Sequence, residues 1–145
     1  MTTAMRKGLL LFAHGARDPN WALPFEAVAA RATRAGAGLQ PPLQVRLAFL
    51  EFMQPDLPTA GQALAESGCE HVDVVPLFLG AGGHVRKDLP ALLRTLAERY
   101  PRIRWELRPA VGEMPGVVAA MAEASLSWIG GGPSSEPTPP DGGSR

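Results

Sequence analysis

The chain has 145 residues, 46% hydrophobic and 19% charged, the balance of one globular domain with enough chain for a core. Lys and Arg number 14 against 14 Asp and Glu, so no net charge recruits nucleic acid. The single cysteine, Cys69, excludes an internal disulfide and fits a reducing cytoplasm.

The apolar run Leu9 to Ala13 is too short for the core of a signal peptide. No stretch approaches the ~18 apolar residues of a membrane span. The expectation is a cytoplasmic protein with no membrane and no nucleic-acid partner.

In chain order, "GLLLFAHG" opens the domain as a short apolar run ending in glycine, as buried parallel strands do. Trp21, Phe25, Val28 and Ala32 then recur at helical spacing and predict one apolar stripe. "QVRLAFLE" is a second strand with Val45, Leu47 and Phe49 on one face, and Leu57, Ala60 and Leu64 mark a second, shorter helix. In "ESGCEHVDVV" a helix end meets a strand start, which makes Cys69 a small packing residue.

"HVDVVPLFLG" is the third strand, with Pro76 placed at a bend or bulge near its end because proline is unwelcome in a central strand. Leu89, Leu92, Leu93, Leu96 and Tyr100 form the clearest helical stripe, with Asp88 and Pro90 suited to its start. "RIRWELRP" alternates as an edge strand, and Val117, Val118, Met121 and Ala122 begin a last helix reaching about Trp128.

The alternation of strand and helix implies a four-stranded parallel sheet, order 2-1-3-4, with helices on both faces. Residues 1–129 form this α/β domain. From Gly130 the chain reads "GGGPSSEPTPPDGGSR", with no aliphatic or aromatic residue, so residues 130–145 are expected to be a disordered tail.

Open parallel sheets bind ligands beyond the carboxyl ends of their strands. After strand one comes His14, after strand two Glu51, and after strand three the loop Gly80, Ala81, Gly82, Gly83 and then His84. Strands one and three are neighbours in the expected order, so His14 and His84 converge, with Glu51 flanking them. Two imidazoles and a carboxylate suit a divalent first-row metal such as cobalt, nickel, iron or zinc. His71 precedes strand three, at the opposite end of the sheet, and is expected to be structural or merely exposed.

"LLLFAHGARDP", "AFLEFMQP" and "VVPLFLGAGGHVRKDLP" together resemble the small class II tetrapyrrole chelatases, the CbiX-type, SirB-like enzymes that insert cobalt or iron into sirohydrochlorin. The resemblance runs from about Gly8 to Trp128 and implies the single-domain, three-layer chelatase sandwich. It implies that His14 binds the metal and accepts a proton, and that His84 is the second metal ligand. Leu79, Gly80, Ala81, Gly82 and Gly83 match the loop beside the macrocycle, and the substrate contact after strand two falls near Glu51 or Gln54. Glu51 is thus expected to act in catalysis and substrate binding.

The metal, Co2+, Fe2+ or Ni2+, is a substrate, and no organic cofactor is implied. Arg17, Arg86 and Lys87 are candidates to meet the peripheral carboxylates of the macrocycle. One such domain is too small to enclose a tetrapyrrole, so a homodimer is expected, with Phe52 and Met53 offered to a partner surface or packed in the monomer core.

Two other readings remain open on the residues. "HG" after a first strand also occurs in histidine phosphatases, but those carry "RHG", and here Ala13 stands before His14. A metal or tetrapyrrole carrier without turnover needs the same residues as an enzyme.

Overall fold

The computed structural model describes residues 4–80 and 82–129, and for His84 its backbone. The predicted tail, 130–145, and the predicted contact residue Ala81 lie outside the described residues. The elements are β1 (Lys7–Ala13), a 3-10 turn (Pro19–Ala22), α1 (Leu23–Gly36), β2 (Gln44–Phe49), α2 (Leu57–Glu66), β3 (His71–Pro76), α3 (Gly83–Arg99), β4 (Arg104–Leu107), a second 3-10 turn (Val111–Glu113) and α4 (Pro115–Leu126). Every strand pairing is parallel and the order is β2-β1-β3-β4, as the sequence predicts.

The chain divides into two compact units, Met1–Glu113 and Met114–Arg145. The first holds the whole sheet. In the second, α4 begins with Pro115 in its first turn and buries none of its residues.

Register decides which side chains share a face of the sheet. Leu10, Phe12, Ala48, Val72 and Val74 point to one side, where Leu57, Ala60 and Leu64 of α2 and Leu89, Leu93 and Leu96 of α3 cover them. Phe12, Leu10, Leu64, Val72 and Val74 are the largest fully buried side chains, each stabilising the fold by about 1.5–3 kcal/mol. Cys69 is buried in the same core, as expected of a packing residue, and desolvation pushes its thiol pKa up. On the other face, Ala13 and Phe49 meet Ala22, with Trp21, Phe25, Leu47 and Met53 packed around them.

Three sequence expectations are refined. In α1, Val28 is exposed while Ala29 and Ala32 are half-buried, so the inward stripe runs Phe25, Ala29, Ala32 and Gly36. α3 starts at Gly83 rather than near Asp88: Gly82 is the extended N-cap residue, and the Arg86 N–H donates to its carbonyl at 3.1 Å. Pro90 therefore lies inside the helix, on its exposed side, where its missing N–H leaves one helical carbonyl open to water.

Pro76 is the last residue of β3. Leu77 donates to the Phe12 carbonyl at 2.7 Å, so the nitrogen of Pro76 faces the opposite edge, beyond the last β3–β4 pair, Val74 with Leu107. No ladder bond is lost there, which is how a proline ends a central strand without a bulge. Among the described residues, no helix is long and apolar enough to cross a membrane.

Candidate functional site

The carboxyl ends of β1, β2 and β3 lie side by side, and the loops leaving them are tied together by backbone bonds. Beyond the β1–β2 ladder, Leu50 donates to the Ala13 carbonyl at 2.9 Å and Glu51 donates to the His14 carbonyl at 3.0 Å. Gly15 makes this approach possible. Its φ is +89°, and a Cβ there would overlap the Glu51 carbonyl oxygen. His14 and Glu51 are thus brought together by the main chain, with the Glu51 side chain exposed.

The His14 ring is held from below. It stacks on Phe78, which follows β3 and is buried, with ring centroids 4.1 Å apart and planes inclined by 26°. The backbone at Phe78 and Leu79 is fixed in turn by the second 3-10 turn: Gly112 donates to the Phe78 carbonyl at 2.9 Å, and a Cβ at Gly112 would overlap the Leu79 backbone. Glu113 in that turn pairs with Arg86 of α3 at 3.2 Å. Phe78, Gly112 and Glu113 are not among the residues that the sequence pattern singles out. Only "PLFLG" carried a signal for Phe78, and nothing near "AVGEM" announced a contact with a loop so distant in sequence.

The glycines of the loop after β3 are not required by its own backbone. Gly80, Gly82 and Gly83 do not adopt positive φ, and a Cβ at any of them would meet nothing within 4 Å. They border open space, and Leu79, 73% exposed, stands at its edge. His84 follows as the second residue of α3, the helix that leaves the carboxyl end of β3, and β3 is the neighbour of β1 in the sheet. The ligand role expected of its side chain lies outside the described atoms.

Of the cationic candidates, Arg86 is engaged with Glu113, and Lys87 is an exposed residue of the first turns of α3. Arg17 lies with its guanidinium 5.0 Å from the centre of the Phe52 ring. Gln54 uses its side-chain oxygen to accept the Asp56 N–H at 3.2 Å. Met53 packs in the second core cluster while Phe52 is exposed, so the pair expected to share one fate divides.

His71 lies at the far end of the sheet, as predicted. Its Nε2 is buried without a hydrogen bond, 3.5 Å from Glu106 and 3.8 Å from Asp73. Among the described residues these three alone bring metal-ligating atoms within 4.8 Å of one another. Both carboxylates are already claimed: Arg108 reaches Asp73 at 2.6 Å and Glu106 at 2.8 Å, and Arg104 reaches Glu106 at 2.7 Å. Two guanidinium groups balance two carboxylates, so a divalent cation would add charge that nothing there offsets. The cluster is an ion-pair network, and the Asp73 bond holds the Arg108 pKa above its usual value.

A cavity of about 530 Å3 also opens at that end, beside Cys69 and Tyr100, away from His14. Because burial disfavours the Cys69 thiolate, that cavity has no activated nucleophile at Cys69. A second cavity of about 320 Å3 lies at the carboxyl end, lined by Ala16, Arg17, Glu26, Phe49, Phe52 and Gln54 among others.

The CbiX family model matches residues 8–126. The chain belongs to the CbiX family. Among its relatives, a sirohydrochlorin ferrochelatase of Bacillus subtilis (strain 168) is 30% identical over 117 residues, 81% of this chain and 43% of that enzyme. A sirohydrochlorin cobaltochelatase of Sulfolobus acidocaldarius is 33% identical over 123 residues, 85% of this chain and 95% of that enzyme.

A CbiX crystal structure from Marinobacter aquaeolei VT8, assigned to cobalamin biosynthesis, superposes with a TM-score of 0.72 and 28% identity over 85% of this chain and 97% of that one. SirB from Bacillus subtilis with Fe3+ gives 0.72 and 26% over 86% of this chain and 48% of that chain. The CbiX-family chain thus spans less than half the length of the Bacillus ferrochelatase it matches.

Proposed function

We propose that this CbiX-family chain is a sirohydrochlorin chelatase, inserting Co2+ or Fe2+ into the tetrapyrrole in cobalamin or siroheme biosynthesis, with Ni2+ as a third candidate metal. The observation that carries the reading is His14 directly after β1 with its ring stacked on Phe78, which follows the neighbouring strand β3, in a chain of this family whose next helix carries His84 in its first turn. Residues 1–129 are the working domain. The reducing cytoplasm is its compartment, consistent with one buried cysteine.

The reaction exchanges the two pyrrole N–H protons for one divalent ion, so charge is conserved at the macrocycle centre. Neutral imidazole is both a metal ligand and a proton acceptor near pH 7. His14 and His84 hold the ion, with open positions through which pyrrole nitrogens replace water. As the ion leaves His14, that ring becomes free to take one of the displaced protons. Stacking on Phe78 keeps the ring oriented through the exchange. Glu51, exposed and tied by its backbone to His14, takes or relays the second proton. The open space beside Gly80, Gly82 and Gly83 accommodates the flat macrocycle.

The chain works as a homodimer in this reading, the second copy closing the cleft over the tetrapyrrole. Support comes from its match to about half of SirB and from the exposed apolar Leu79 beside the open space. Sedimentation equilibrium at micromolar concentration tests this: a monomer that turns over removes the dimer as a requirement.

The function is tested by incubating the protein with sirohydrochlorin and cobalt, iron or nickel and following the absorbance of the metallated product. Insertion beyond one equivalent per chain is expected and separates an enzyme from a carrier. No acceleration over metal and tetrapyrrole alone, with all three ions, overturns the proposal.

A further inference from the structure

Phe52 is the one described non-glycine residue with positive φ, at 63°, and the residue is 59% exposed. A bulky residue in the left-handed region is a conformational outlier, and such outliers persist where something other than stability holds them. The contact with Arg17, whose guanidinium lies 5.0 Å from the ring centre, does not repay the strain, because an exposed cation–π pair is weak. The fold thus spends backbone strain on displaying an aromatic face in water.

The location is specific. Phe52 follows Glu51, whose N–H is bonded to the His14 carbonyl, and Arg17 lies three residues after His14. Both line the cavity of about 320 Å3 at the carboxyl end of the sheet. An exposed ring offers an apolar face to a flat conjugated system, and the guanidinium above it offers planar paired donors to a carboxylate.

We infer that Arg17 and Phe52 form a clasp for the rim of a polycarboxylate macrocycle, the ring meeting a pyrrole edge and the guanidinium binding a peripheral carboxylate. This rests on the chelatase reading and adds the residues that set its preference for a polyanionic tetrapyrrole. Glu26 lines the same cavity and opposes an anion there, so it tunes the clasp downward.

The test is equilibrium binding of metal-free sirohydrochlorin, read by quenching of its fluorescence, for the parent and for Arg17→Gln, Arg17→Lys, Phe52→Asn and Glu26→Gln. Asn tolerates positive φ, so Phe52→Asn removes the ring without adding strain. Expected are roughly tenfold weaker binding for Arg17→Gln and for Phe52→Asn, with melting temperature not lowered and sedimentation unchanged. Arg17→Lys keeps the charge and loses the fork, so it falls between parent and Arg17→Gln. Glu26→Gln tightens binding about twofold, as expected of one removed like charge several ångströms away in a wet site.

A porphyrin with only two carboxylates should show a smaller loss on Arg17→Gln. Parent-like affinity in both Arg17→Gln and Phe52→Asn overturns the clasp, as does a loss that follows a change in association state. A parent that binds the tetrapyrrole but never inserts metal, with the variants weakened, overturns the chelatase reading and leaves the clasp standing. A parent that does not bind it overturns both.

Discussion

Replacing Gly15 by alanine should disable the site without touching a proposed ligand. At φ +89° an L-residue pays about 1–2 kcal/mol for the left-handed region. The new Cβ also overlaps the Glu51 carbonyl oxygen, so one loop has to move. That oxygen accepts the Met53 N–H at 2.8 Å, and the neighbouring Glu51 N–H donates to His14 at 3.0 Å. Weakening these two bonds costs about 1 kcal/mol each at most. The total is about 1–4 kcal/mol, a drop of roughly 3–15 °C in melting temperature for a chain of this size.

Activity should fall further than stability, because the displacement separates His14 from Glu51. We expect insertion lowered at least tenfold at a temperature where the variant remains folded by circular dichroism, since small misplacements of reacting groups cost about that much or more. Gly38→Ala is the control: a Cβ there meets nothing within 4 Å and its φ is not positive, so both readouts should match the parent. Parent-like melting and turnover in Gly15→Ala would show that the two loops are not locked together, and the site geometry would have to be rebuilt.

His14→Ala and His84→Ala should each abolish insertion above background with the circular dichroism spectrum retained, whereas His71→Ala should leave turnover close to the parent's; a reversal of that pattern moves the site to the other end of the sheet. Gly112→Ala drives a Cβ into the Leu79 backbone and should lower both melting temperature and insertion, with parent-like values in both removing the turn as a support of the loop.

Asp56 caps α2 by accepting the Thr59 N–H at 2.9 Å, and hydrogen bonds from the Thr59 side chain and then from that N–H hold its carboxyl pKa below the usual value. A depressed pKa means that this contribution is full above about pH 4, the unfolded value, and is lost as pH falls through the folded one. Asp56→Ala should cost about 1 kcal/mol at pH 7 and Asp56→Asn much less. Urea denaturation between pH 2 and 7 reads this, and an Ala variant as stable as the parent at pH 7 refutes the cap.

The sheet was legible because β1 is a short, almost wholly buried apolar run and β3 alternates buried with half-buried residues, so "LLLFA" and "VDVVP" needed no tertiary information. The inward stripe of α1 was less so. Hydrophobicity selected Val28, but an alanine-rich helix has little contrast, and Ala29 turns inward where the helix lies against the sheet. The start of α3 was misplaced because Asp88 and Pro90 imitate a first turn, while the cap that operates is a glycine backbone with no side-chain signature.

The candidate site divides along the same line. His14, Glu51 and the glycine loop follow strand ends, so order along the chain was enough to find them. Phe78 under His14, Gly112 against Leu79 and Phe52 at positive φ are products of contacts between segments far apart, or of a backbone state that phenylalanine itself disfavours. Groups that would hold the metal can therefore be read locally, whereas groups that fix their geometry cannot. It follows that substitutions which silence the protein while sparing every proposed ligand should concentrate at Gly15, Phe78 and Gly112, which fix the geometry of the site through contacts between separate segments.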